Sequence, residues 1–387
     1  MIRYLTAGES HGKALVGIIE GVPSGLSISE EYINQKLSRR QKGFGRGGRM
    51  RIETDQVKIL SGVRFGKTLG SPISLMIENR DWENWKDKMS ISDLKKEIEK
   101  INIPRPGHAD LSGMIKYKFD DIRNVIERAS ARETAMRVAL CSISQKFLEE
   151  FKIEIGSFVV SIGKVEDENS EKNRDKILQN SNASKISAKA DLNELRMLSI
   201  DESKNAISLI KQEMKSGDTL GGIFEVVVSG LPIGLGSYVQ WDRKLDAKLG
   251  EAILSIQAVK GVEVGEAFEN AKKFGSEVHD ELFFEGKKNI LRKTNRAGGV
   301  EGGMTNGNAI IIRAAMKPIS TLAKGLSSID LKKNKNVQSR YERSDVCAVP
   351  ACSVIAESVV APVIANSFLE KFGGDSISEI NQRYKNL

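Results

Sequence analysis

The two ends of this chain repeat one another, and that limits the folds open to it more than any single motif does. Gly8-Glu-Ser-His-Gly12 aligns with Gly217-Asp-Thr-Leu-Gly221. Thirteen residues after each leading glycine comes a second signal, Gly21-Val-Pro-Ser-Gly-Leu26 against Gly230-Leu-Pro-Ile-Gly-Leu235. Gly62, Gly66, Gly70 and Ile73 match Gly299, Gly303, Gly307 and Ile310 at a constant offset of 237, and Phe147-Leu-Glu-Glu-Phe151 matches Phe368-Leu-Glu-Lys-Phe372. Self-similarity at fixed offsets is the mark of a repeated supersecondary unit. Apolar runs at Ala14 to Ile19, Pro72 to Ile77, Ile223 to Val228 and Ala309 to Ile312 are bounded by glycine turns and read as strands. Met136, Leu140, Ile143, Phe147 and Phe151 recur at helical steps, as do Ala356, Val360, Ile364 and Phe368, so each set forms one buried helical face. Each half reads as strands followed by a long apolar helix. The competing account is chance similarity in a chain with 35 glycines.

Between the halves, residues 160–215 are rich in Lys, Ser, Asn and Glu. Ile177, Leu178, Ile186 and Leu195 are too sparse for an independent core, so this stretch reads as a peripheral insertion with solvated helices. Residues 1–387 are therefore expected to form a single domain, with pseudo-repeats at about 1–155 and 216–387 around an insertion at about 160–215. A second polar stretch, Ser327 to Ser339, reads as a mobile loop before Arg343. With 40% hydrophobic residues the chain has material for a large core, and no run approaches the ~18 uninterrupted apolar residues of a membrane span. The start MIRYLTAGESHG lacks the apolar segment of a signal peptide, and Cys141, Cys347 and Cys352 sit in apolar contexts without metal spacing. A cytoplasmic protein without a disulfide scaffold, zinc module or other metal site is expected.

The net charge of +8 implies an anionic partner: nucleic acid, a membrane surface or an acidic metabolite. Acid–base chemistry by imidazole has three candidates. His11 lies between two turn glycines, where the backbone can approach a ligand; the alternative is a surface turn histidine. His108, in Arg105-Pro-Gly-His-Ala-Asp110, can be oriented by a neighbouring carboxylate or carbonyl, or be an ordinary loop histidine. His279, in a charged segment, reads as structural or solvated. The segment from Ser38 to Arg51 sets arginines on a glycine-rich backbone, which suits phosphate or carboxylate groups. It also has the look of an RNA-binding stretch, although Phe44 is its only aromatic and acidic Ile52-Glu-Thr-Asp55 follows. Arg128 and Arg132 share a face where the first long helix begins, beside small Ala129, Ser130 and Ala131, and a helix start favours an anion. Gly302 to Gly307, Lys317-Pro-Ile-Ser-Thr321 and Glu342-Arg-Ser-Asp345 can surround a phosphate-bearing ligand. No Walker A motif is present, and no GxGxxG follows a strand.

In this order the motifs resemble the chorismate synthase family. The stretches that carry the likeness are GESHG at 8–12, RRQKGFGRGGRM at 39–50, RPGHADL at 105–111, ERASARETAMRVA at 127–139, GSYVQWDRKLDAKL at 236–249, SIQAVKGVE at 255–263, NRAGGVEGGMTNG at 295–307, MKPIST at 316–321 and ERSD at 342–345. The resemblance implies an α+β fold, a β-α-β sandwich with long central helices between antiparallel sheets and an internal duplication, assembled as a homotetramer. It implies a lyase that converts 5-enolpyruvylshikimate 3-phosphate to chorismate and phosphate by 1,4-anti-elimination. Reduced FMN is needed without net redox change, with NADPH or an external flavin reductase as the source of reduction. By the same resemblance His11 is the acid for the departing phosphate, His108 protonates the reduced flavin, and Asp345 assists the flavin nitrogen that removes the substrate proton. FMN contacts fall on Arg128, Ala129, Ser130, Gln257, Ala258, Gly302, Lys317, Pro318, Ile319, Ser320, Thr321 and Arg343. NADP contacts fall on Arg40 and Arg46, which are also candidates to face the substrate, and substrate contacts on Arg49 and Arg132. No nucleic acid or membrane partner is expected. Against this lyase stand an RNA-binding protein, whose affinity would fall steeply with salt, and a flavin oxidoreductase, which would consume NADPH stoichiometrically.

Overall fold

The computed structural model describes residues 1–47, 54–286, 289–342 and 344–385. The N-terminal sheet is built from β1 (Arg3–Ala7), β2 (Ala14–Glu20), β3 (Val57–Ile59) and β6 (Ile73–Glu78), in the antiparallel order β1-β2-β6-β3. A two-residue ladder, β4 (Val63–Arg64) with β5 (Lys67–Thr68), sits between them. On β2, Leu15 and Ile19 are buried while Val16 and Ile18 face outward, the period-2 pattern of a strand with one face on the core. Between β2 and β3 runs α1 (Glu30–Gln41). Ser29 caps it by accepting the Tyr32 N–H, Glu30 and Glu31 fill its first turn, and Arg39 and Arg40 its last, in accord with the helix dipole.

After the 3-10 turn Arg80–Asn84 come α2 (Asp110–Tyr117), α3 (Arg123–Ala129) and α4 (Thr134–Glu149). The second sheet holds β7 (Glu154–Ile162), β8 (Val165–Glu166), β9 (Gly222–Ser229), β10 (Val259–Val264) and β15 (Ile310–Met316), in the order β10-β15-β9-β7-β8. Read from its other edge, this sheet runs β8-β7-β9-β15-β10, one strand more than the first. The remaining elements are α5 (Ser170–Asn180), α6 (Ala183–Ala190), α7 (Ile200–Ser216), α8 (Leu245–Leu254), the four-residue helices α9 (Ala267–Asn270) and α10 (Gly275–Val278), and the hairpins β11 (Leu282–Glu285) with β12 (Asn289–Arg292), β13 (Val300–Glu301) with β14 (Met304–Thr305), and β16 (Ser327–Asp330) with β17 (Lys335–Gln338). Two helices close the chain, α11 (Val349–Phe372) and α12 (Ile377–Lys385).

The core lies where α4 packs on β2, β6 and α11, and α11 packs on β7 and β9. Gly17 permits the first contact, because a Cβ there would stand 2.5 Å from Leu140 Cδ1. The matched phenylalanines meet: the Phe147 and Phe368 rings are 5.8 Å apart, and those of Phe151 and Phe368 4.5 Å. Among the described residues α11 is the one helix long and apolar enough to cross a membrane, with mean hydropathy 1.6 in its most apolar window, but 83% of that window is buried in this protein.

Two expectations need amending. Ile186 and Leu195 are fully buried, and Ile186 joins Phe158, Val160, Ala183, Ala190, Leu198 and Val227 in a small second core under α6. The sheet supplies the apolar partners that the stretch lacks on its own. Ser327–Ser339 is the β16–β17 hairpin rather than an open loop: Ser328 Oγ donates to the Pro104 carbonyl, and the Leu331 N–H to that of Asn102.

Candidate active site

A cavity of about 690 Å³ opens where residues 8–12, α3, the turn before α2, the turn after α8 and the segments after β15 and β17 converge. His11, His108 and Asp345 all line it, and so do Ser10, Trp85, Arg105, Arg123, Ala129, Ser130, Gln257, Ala258 and Lys317 to Thr321. Gly107, at φ +77°, takes the left-handed conformation that turns the chain ahead of His108. Lys317 then ties two walls together: its backbone N–H donates to the Ala258 carbonyl and its Nζ to the Gly107 carbonyl at 2.7 Å.

Each imidazole meets a buried carboxylate through Nδ1. His11 Nδ1 is 3.0 Å from both oxygens of Glu127, and its ring stacks on Trp85 at 3.8 Å between centroids. His108 Nδ1 is 2.5 Å from Asp110 Oδ1, and Arg105 donates to both Asp110 oxygens and lies 3.0 Å from the same ring nitrogen. Burial alone would raise both carboxyls. For Glu127 the hydrogen bonds and charge of His11, with Arg123, outweigh it and bring the carboxyl below its ordinary value. For Asp110 the bonds from His108 and Arg105 do so more strongly. Both carboxylates therefore stay ionised at neutral pH and accept from the rings. His279 is exposed and outside the cavity.

The arginines behave differently from one another. Arg40 is buried, with Nε donating to Thr134 Oγ1 and Nη2 to the Ala131 carbonyl, and Asp55 3.7 Å from Nη1. Burial pushes its pKa down to about 10, Asp55 opposes this, and Arg46 and Arg132 add repulsion; the guanidinium remains charged at neutral pH. Arg132 donates to Asp55 at 2.5 Å and to Asn79 Oδ1 at 3.0 Å. Arg46 Nε is 3.2 Å from Asp345 Oδ2, while Asp345 Oδ1 accepts the Gly47 N–H. Asp345 thus joins the basic segment to the cavity wall. Arg128 is exposed and holds the Thr6 and Gly8 carbonyls, and Gly302 sits in the β13–β14 turn. Among the described residues, Arg40, Arg46, Arg128, Arg132 and Gly302 stand outside the cavity lining. Arg49 and Arg343 lie outside the described residues.

The sequence as a whole has close counterparts. The family model for chorismate synthase matches residues 2–369. The chorismate synthase of Chloroherpeton thalassium is 59% identical over 387 residues, covering 100% of this chain and 98% of that protein. That of Chlorobaculum tepidum is 57% identical over 384 residues, covering 99% and 96%. The chain belongs to the chorismate synthase family. A crystal structure of a chorismate synthase superposes with a TM-score of 0.79 at 44% identity, covering 100% of this chain and 96% of that one. With membership of the chorismate synthase family goes the class of lyase and a place in the shikimate pathway of aromatic biosynthesis.

The cavity fits a flavin on its own chemistry. Gln257 Oε1 is buried there with no hydrogen-bond partner, an acceptor waiting for a ligand N–H. Ala258 is held at φ +68°, a conformation that a side-chain-bearing residue adopts at a cost of about 1 kcal/mol or more and that marks a functional turn. Small Ala129, Ser130 and Ala131 leave room for a flat ring, and a cavity of this size suits a ligand of drug-like bulk or two smaller ones. Sequence reasoning missed Glu127 as a partner of His11, and Trp85 and Arg123 as cavity residues. Asp110 had a signal, two residues from His108. Glu127 had none, because 116 residues separate it from His11.

Proposed function

We propose that this chain converts 5-enolpyruvylshikimate 3-phosphate to chorismate and phosphate by 1,4-anti-elimination, with reduced FMN bound in the cavity. The observation that carries this reading is the convergence of His11, His108 and Asp345, from three distant parts of the chain, on one cavity. Ala129, Ser130, Gln257, Ala258 and Lys317 to Thr321 would hold the flavin, and by family resemblance Arg128, Gly302 and Arg343 would add contacts. When bound, reduced FMN supplies electron density transiently and takes it back. His11 holds a proton for the departing phosphate, which leaves more easily once protonated. His108, paired with Asp110, holds a second proton, and Asp345 keeps a carboxylate acceptor within the cavity. Arg105, Arg123 and Lys317, which line the cavity, would offset the charge of an anion carrying a phosphate and two carboxylates, prohibitive to bury unpaired, while Arg40 and Arg132 are paired with Asp55 and Arg46 with Asp345.

An NADPH contact at Arg40 would need its bonds to Thr134 and Ala131 to open, so reduction of the flavin is assigned to an external reductase. The sandwich and its duplication are supported by the likeness of β1-β2-β6-β3 to the β7-β9-β15-β10 part of the five-stranded sheet and by the packing of α4 on β2 and β6 and of α11 on β7 and β9. Homotetramer formation is supported by the exposed apolar Leu282, Phe284 and Ile290 of the β11–β12 hairpin. The location is taken to be cytoplasmic, in keeping with three free cysteines.

The test is anaerobic incubation with dithionite-reduced FMN and the phosphorylated enolpyruvyl substrate, following phosphate release and chorismate absorbance. One phosphate per chorismate, with flavin catalytic, is expected. Stoichiometric consumption of reductant, or no phosphate release, would overturn the reading.

A further inference from the structure

Glu127 is a buried carboxylate that holds the cavity residue His11. Its side chain is 2% exposed. Oε2 accepts the His11 backbone N–H at 2.8 Å, and both oxygens lie 3.0 Å from His11 Nδ1. Its own carbonyl accepts the Ser10 N–H at 3.0 Å, so α3 grips two consecutive residues of the glycine turn. Arg123 Nη1 donates to Oε1 at 3.2 Å. The ring so held is also stacked on Trp85, whose indole N–H donates to Asp81 Oδ2 and whose ring centroid lies 5.0 Å from the Arg123 guanidinium. Trp85 and Glu127 therefore fix the imidazole in plane and in rotation.

From this geometry we infer that Glu127 is a positioning residue that acts through His11 by selecting its tautomer. A carboxylate offers acceptors only, so the neutral ring must carry its proton on Nδ1. Nε2 is then the nitrogen through which His11 exchanges a proton with a bound ligand. Glu127 performs this role because both of its oxygens already serve fixed donors, Arg123 on one and the His11 backbone on the other. An amide in its place has one acceptor oxygen, and whichever way it turns, an NH2 faces a donor or faces Nδ1. This inference rests on the reading that His11 exchanges protons with the substrate.

The experiment uses the full chain labelled with 15N-histidine, whose three imidazoles are distinguished with His279→Gln and His108→Gln. Ring nitrogen shifts and couplings are read above the titration range, and steady-state kinetics are run with reduced FMN. In the unmodified protein His11 is expected as the Nδ1–H tautomer. Glu127→Gln is expected to lower the Nδ1–H population below half and to reduce kcat by about 10- to 10⁴-fold, with KM for the substrate changed less than about threefold. Glu127→Asp, which keeps two acceptors, should restore the Nδ1–H tautomer and recover at least part of kcat. An Nε2–H ring in the unmodified protein overturns the inference whatever the variants do. So does a Glu127→Gln protein whose tautomer or kcat is unchanged. If the unmodified protein forms no chorismate, the proposed function fails, while the spectrum still decides the role of Glu127.

Discussion

At the scale of single residues, the site reduces to which charged group holds which partner. His11→Ala and His108→Ala should each cut turnover by about 10²–10⁴-fold while FMN still binds, as read by flavin fluorescence alongside steady-state rates. Near-normal turnover in either variant would remove that imidazole from the chemistry. Asp345→Asn should lose turnover by about 10²-fold with the fold intact, because the amide oxygen can still accept the Gly47 N–H but the charge facing Arg46 is gone. Circular dichroism with kinetics separates the two effects. The two histidines were legible because each lies in a glycine turn of a short motif. The arginines were legible as a class, but their destinations were not. Arg40 and Arg132 are both turned to Asp55, an acidic residue that sequence reasoning counted against an RNA-binding segment. Burial pushes the thiols of Cys141, Cys347 and Cys352 up to about 12, which leaves them protonated and inert at neutral pH.

At the scale of elements, periodicity predicts well where a helix or strand buries one face. The spacing from Met136 to Phe151 anticipates α4 (Thr134–Glu149), and that from Ala356 to Phe368 anticipates the central part of α11 (Val349–Phe372). The helix runs seven residues further at its start because Pro350 is tolerated in a first turn, where its missing N–H has no acceptor to serve. What periodicity misses is close approach. Gly17→Val should push α4 off β2, since the new Cβ would meet Leu140 Cδ1 at 2.5 Å and Met136 Cγ at 2.8 Å. A loss of about 1–3 kcal/mol is expected, measured as a lower Tm in calorimetry. An unchanged Tm would mean that the α4 side chains repack without strain.

At the scale of the whole molecule, one buried carboxylate ties the insertion to the core. Glu357, inside α11, accepts from both Arg39 amino groups, from Arg196, from Ser157 and from Ser187, so α1, β7, α6 and the segment after α6 meet on it. Burial would raise its pKa, but the Arg39 and Arg196 charges and the Ser187 hydrogen bond outweigh this and hold it down to about 2, against an ordinary 4.5. A carboxyl with a depressed folded value stabilises the fold above its unfolded pKa, and that contribution is lost as pH falls through the folded value. Stability should therefore be level above about pH 5 and decline from about 4.5 toward 2, with Glu127 and Asp110 adding in the same direction. Denaturant midpoints across this range test it. Glu357→Ala should cost about 3 kcal/mol at neutral pH, because it leaves the buried Arg196 and the half-buried Arg39 with Asp191 as their remaining carboxylate partner. It should also flatten the acid decline.

The sequence by itself determined four core strands, two long helices and the chemistry on offer. Apolar period is a local property, so it specified β2, β6, β9 and β15 and the two long helices, and short motifs specified two turn-borne histidines, a cationic segment and the family likeness. Only the tertiary structure decided the pairings: Glu127 with His11, Asp55 with Arg40 and Arg132, Glu357 with Arg39 and Arg196. Those choices depend on distances between elements far apart in the chain. Ion pairs and hydrogen bonds act over a few ångströms, so a spacing in sequence carries no record of them until the sheets and helices have packed.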